Sequence, residues 1–133
     1  MTARILIVED EGIIALSIEA TLLDRGYQVV DIVDSGAEAI ARTEALRPDL
    51  VLMDILLQGD INGLVAGEEI QSRLGVPIVY LTAFNVEDKV KSNAVSYTGY
   101  VRKPVNPDQI DGIIQQILNQ RLQNQFSSTS TNF

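Results

Sequence analysis

Five short aliphatic runs recur along the chain, in RILIVED, YQVVDIV, DLVLMD, VPIVYLT and TGYVRKP. Each is too brief for a helix and rich in residues that favour strands. Because the runs are apolar almost throughout, not alternating, they describe strands covered on both faces, which means a parallel sheet between two layers of helix. The intervening segments supply those helices. Ile14, Ile18 and Leu22 recur at four-residue spacing between Glu11 and Arg25, and Gly26 stops that helix. Ser35 and Glu38 form a capping-box signature for a second helix that ends at Pro48. NGLVAGEEIQSRLG reads as the third, with Leu64, Ile70 and Leu74 turned inward, and NVEDKVKSNAV as a short, polar fourth, with Glu87 and Asp88 near the positive end of its dipole. The fifth opens with Asn106 as cap and Pro107 in its first turn, then carries Ile110, Ile113, Ile114, Ile117 and Leu118 as a core-facing stripe. A polar, low-complexity end suggests one domain over 1–122 and a disordered tail over 123–133.

Composition narrows the chemistry. The formal net charge of -8, with no basic patch, speaks against nucleic acid and anionic membranes as partners. With neither cysteine nor histidine, the chain can build no disulfide, thiolate nucleophile, Ser-His triad or histidine-ligated metal site. No apolar run approaches the roughly 20 residues that cross a bilayer, and the start lacks the layout of a signal peptide, so a cytoplasmic protein is expected.

Charged or polar groups close several of the strands. Glu9 and Asp10 follow the first, Asp54 ends the third, Thr82 the fourth, and Lys103 follows the fifth. Right-handed crossovers favour a doubly wound sheet, whose ligands bind beyond the carboxyl ends of its strands. In a flavodoxin-like (βα)5 order, 2-1-3-4-5, the first and third strands are neighbours and three carboxylates converge. Like charges that close raise one another's pKa. A hard divalent cation relieves the repulsion, and Mg²⁺ suits an all-oxygen donor set. With Lys103 opposite and the Thr82 hydroxyl nearby, these are the parts of a phosphoryl transfer to a nucleophilic carboxylate.

The segments ILIVEDE, VLMD, YLTAF and GYVRKP, in this order and at these separations, resemble the receiver domain of two-component response regulators over residues 4 to about 122. The resemblance implies that Asp54 accepts a phosphoryl group from the phosphohistidine of a sensor histidine kinase or phosphotransfer protein. It implies a Mg²⁺ site from Glu9, Asp10, Asp54 and the backbone carbonyl of Leu56. Thr82 would bind the phosphoryl oxygen beside the small Ala83, Lys103 would pair with Asp54 or its phosphate, and Tyr100 would be the aromatic switch. The bond before Pro104 is often cis in such domains. The face of helix 4, strand 5 and helix 5 would bind an unknown downstream target or form a homodimer. One departure is visible: Gln58 and Gly59 stand where a proline is common, and the loop to Gly63 is longer by about a residue.

Singly, each residue has a plainer explanation: Asp54 as a strand terminator, Glu9 to Glu11 as a solvated helix start, Thr82 as an ordinary strand residue. Two other functions compete with the phospho-accepting switch. An Mg²⁺-dependent aspartyl-phosphate phosphatase would need a second acid two residues after the nucleophile, where Leu56 stands, so no turnover enzyme is expected. A receiver-fold interaction module acting without phosphorylation would have no need of the five site residues.

Overall fold

The computed structural model of the protein describes residues 2–57, 59, 62–83 and 98–130, the last eight of these by backbone alone. Its strands are β1 (Arg4–Val8), β2 (Gln28–Val33), β3 (Leu50–Asp54), β4 (Ile78–Thr82) and β5 (Thr98–Arg102). They form one parallel sheet in the order β2-β1-β3-β4-β5. Successive side chains of a strand point to opposite faces, and both faces here are apolar. Ile5 and Ile7 of β1 join Leu50, Leu52, Val79, Leu81 and Val101 on one face, packed against Ile18 and Leu22 of α1 (Gly12–Asp24) and Ile110, Ile114 and Ile117 of the C-terminal helix (Pro107–Ser130). Leu6 and Val8 share the other face with Val51, Met53, Ile78 and Tyr80, under Ala39 of α2 (Gly36–Leu46) and Ala66 of α3 (Gly63–Glu69).

The ends of the helices follow from their sequences. Ser35 Oγ accepts from the Glu38 N–H at 3.1 Å, and Asn62 Oδ1 from Val65 N–H at 2.9 Å, so each side chain satisfies one of the donors a helix start leaves open. Asn106 Oδ1 accepts from both Asp108 and Gln109 N–H. Gly26, at φ +89, lets the chain reverse after α1 in a backbone region closed to most side chains.

Two expectations need correction. Leu64 does not face the core: it is 36% exposed, and Gly63, Ala66 and Gly67 are the buried residues of α3. The helix lies so close to the sheet that only small side chains fit, and a Cβ on Gly67 would run into the Tyr80 hydroxyl. Ile70 is buried and Leu74 partly buried, in the π-helical turn (Ile70–Leu74) that continues α3. Secondly, helical backbone does not stop at 122 but runs through Ser130, since neither proline nor glycine interrupts the chain between Gly112 and that point. The expected fourth helix, residues 85–95, lies outside the described residues, as does Gln58.

Candidate functional site

Hydrophobic burial fixes the five strands, and the strands in turn deliver polar residues to one edge. Glu9 directly follows β1, and its N–H donates to Val33 O at 2.9 Å, keeping the chain extended beside the end of β2. Asp54 ends the central strand β3, paired with Leu81 of β4, so its carboxylate sits between the ends of β1 and β4. Thr82 closes β4 and is 2% exposed. Lys103 follows β5, its N–H donating to Thr82 O at 2.7 Å, and the Lys103-Pro104 peptide is cis.

These side chains meet. Carboxylate oxygens of Glu9, Asp10 and Asp54 lie within 4.8 Å of one another, the one such acidic cluster among the described residues. Glu9 is 2% and Asp54 4% exposed, while Asp10 is half-buried. Lys103 Nζ donates to Glu9 Oε1 at 2.7 Å and to Asp54 Oδ2 at 3.2 Å. Leu56 N–H donates to the other Asp54 oxygen, Oδ1, at 3.1 Å, while its side chain lies 59% exposed. Gly63 completes the frame. Its N–H donates to Ile55 O at 3.0 Å, and a Cβ there would collide with the Asp54 carbonyl.

The electrostatics follow from burial and crowding. Loss of solvent pushes the Glu9 carboxyl up to about 7, reinforced by its contact with Asp54 and opposed by Lys103. Desolvation works against the Lys103 charge too, but the hydrogen bonds to Glu9 and Asp54 outweigh it and leave the ammonium above its ordinary pKa. Among the described residues one cation thus faces these acids, and Glu9 Oε2 is buried there with no hydrogen-bond partner. Such an orphaned acceptor is costly. An all-oxygen donor set holding an unspent buried carboxylate oxygen fits a small hard divalent cation and offers nothing to a soft one.

Tyr100 stands three residues before Lys103 on β5, half-buried, its ring stacked on Tyr80 with centroids 5.2 Å apart and planes 30° from parallel. Ala83 is exposed beyond Thr82. Three features were not read from the sequence. Lys103 is nearer to Glu9 than to Asp54, Gly63 presses against the Asp54 backbone, and Tyr80 carries the Tyr100 ring. Glycine at 63, shortly after a strand-ending acid, was the one signal that a close approach was needed.

Residues 5–115 match the family model of the response regulator receiver domain. The transcriptional regulatory protein PdtaR of Mycobacterium tuberculosis is 37% identical over 102 residues, which cover 76% of this chain and 49% of that one. Among solved structures, the response regulator PhyR from Brucella abortus superposes with a TM-score of 0.85 at 31% identity, over 99% of this chain and 54% of its own. The signal receiver domain of a modulated diguanylate cyclase from Desulfovibrio desulfuricans G20 gives 0.83 at 29%, over 93% and 99%. The chain spans about half the length of the curated relatives it matches. Among the described residues no helix is long and apolar enough to cross a membrane.

Proposed function

The chain belongs to the response regulator receiver domain family, and from that premise we propose that it is a cytoplasmic phospho-accepting switch with Asp54 as the acceptor. An Asp54 carboxylate oxygen attacks the phosphorus of a phosphohistidine on a sensor kinase or phosphotransfer protein. The P–O bond forms as the P–N bond breaks, its electron pair leaving on the imidazole nitrogen. Glu9, Asp10, Asp54 and the Leu56 carbonyl would hold Mg²⁺, which when bound supplies charge neutralisation for the phosphoryl oxygens. Lys103 keeps its charge against the reacting carboxylate and later pairs with the phosphate. The Thr82 hydroxyl takes a phosphoryl oxygen, and Tyr100 follows it, altering the face beside β5 and the C-terminal helix for an unidentified protein target or a second copy.

The observation that carries this reading is the meeting of Glu9, Asp10, Asp54 and Lys103 from three separate strand ends around one buried carboxylate. Receiver domains of response regulators are signalling switches, which supports this reading over a turnover enzyme. Incubation with acetyl phosphate and Mg²⁺ tests it: the intact mass should rise by about 80 Da in the native protein and stay unchanged in Asp54→Asn, whose amide is no nucleophile. An unchanged native mass with persistent partner binding would favour a module that works without phosphorylation, and steady hydrolysis of added phosphate esters would favour a phosphatase.

A further inference from the structure

Tyr80 has no part in the phosphoryl chemistry, yet it touches the residue that would report it. It lies directly opposite Tyr100 in the β4–β5 register, two residues before Thr82 on the same strand. Residues two apart on a strand share a face, so Tyr80, Thr82 and Tyr100 line one side of the sheet. The Tyr80 side chain is 2% exposed, and its far end is lodged at Gly67, where α3 has no Cβ to displace it. Burial also pushes its hydroxyl pKa up, so the phenol stays neutral. The Tyr100 ring, only half-buried, rests on this fixed surface.

We propose that Tyr80 is a positioning residue: its immobilised ring is the platform that holds Tyr100 in its resting place, so the stacked pair sets how readily Tyr100 moves when Asp54 is modified. The inference rests on the switch role given to Tyr100 above. A ring clamped between a helix and a neighbouring strand cannot follow Tyr100, so any displacement of Tyr100 forfeits the stack. Offset aromatic contacts of this kind weight a two-position equilibrium by about two- to ten-fold. A space-filling role for Tyr80 would make any well-packed apolar side chain equivalent; a platform requires an aromatic one.

Fluorotyrosine placed at residue 100 alone, read by fluorine NMR, separates these. Wild type, Tyr80→Phe and Tyr80→Leu are compared with and without beryllofluoride and Mg²⁺. Without additives, Tyr80→Phe should reproduce the wild-type distribution of Tyr100 ring positions and Tyr80→Leu should shift it by about two- to ten-fold; an unchanged distribution in Tyr80→Leu overturns the inference. Should Tyr80→Leu fail to fold, Tyr80→Met takes its place: a shifted Tyr100 distribution there upholds the platform and an unchanged one overturns it. A Tyr100 signal that depends on residue 80 but ignores beryllofluoride in every variant would uphold the platform while removing the proposed phospho-switch.

Discussion

Replacing Lys103 by methionine keeps the length of the side chain and deletes the charge that Glu9 and Asp54 share at 2.7 and 3.2 Å. At an effective dielectric of about 20 each contact contributes roughly 5–6 kcal/mol before the ammonium is desolvated. Removing one member of a buried pair leaves a net loss of about 3–5 kcal/mol, because the remaining charge has no counterpart. The Lys103 side chain keeps 19% exposure, so the lower figure, about 3 kcal/mol at pH 8, applies to Lys103→Met without divalent cation. The pH profile is the sharper test. Because burial raises the Glu9 carboxyl from 4.5 to about 7, the folded state retains a proton that the unfolded chain has released, and stability falls as pH rises through that interval, then levels off. Across that interval the fall is about 3 kcal/mol in the native protein. Without Lys103 one carboxyl stays protonated to higher pH, so the decline should continue above pH 7 at up to about 1.4 kcal/mol per pH unit. Urea unfolding in EDTA at about pH 5, 7 and 9 reads both curves. Parallel profiles for the two proteins above pH 7 would refute the shared-cation account.

Other consequences are smaller or more local. Gly63→Ala should destabilise by about 1–3 kcal/mol, since its new Cβ meets the fixed carbonyl of Asp54 and not a yielding side chain; a neutral urea midpoint would mean the approach is looser than described. Asn62→Ala should cost about 1 kcal/mol through loss of the α3 cap, measured the same way. Tyr27 donates to Asp111 at 2.5 Å across 84 residues, so Tyr27→Phe and Asp111→Asn should show a coupling of about 1 kcal/mol in a double-mutant cycle, and strictly additive effects would contradict that bond. Mg²⁺ at the proposed site requires Glu9 deprotonated, and that carboxyl is raised by burial to about 7. Affinity measured by calorimetry should therefore climb from pH 5 to about 8 with proton release, and a flat profile would exclude Glu9 as a ligand.

How much of this was legible beforehand differs between core and site. Strand order and layering could be read because β1, β3 and β4 are apolar on both faces, and the start of the C-terminal helix because Asn106 and Pro107 mark it. Leu64 misled because periodicity assumes the largest apolar residue faces inward, whereas close packing on β3 and β4 reserves that face for Gly63, Ala66 and Gly67. The helix boundary misled because polar residues without proline or glycine do not end a helix that its earlier turns have already nucleated. At the site, the acids could be placed at strand ends, but how Lys103 divides between Glu9 and Asp54 depends on sub-ångström distances that no spacing encodes. The Tyr80 platform was hidden for a related reason: an aromatic in a buried strand reads as core until its neighbour across the ladder is known.

Borohydride trapping followed by peptide mass spectrometry addresses the central claim most directly, because it converts an aspartyl phosphate into homoserine at the residue that carried it. After treatment with acetyl phosphate, homoserine should appear at position 54 alone, and only when Mg²⁺ is present. Homoserine at another aspartate, or equal yield at 54 in EDTA, would contradict a cation-dependent acceptor built from Glu9, Asp10, Asp54 and Lys103.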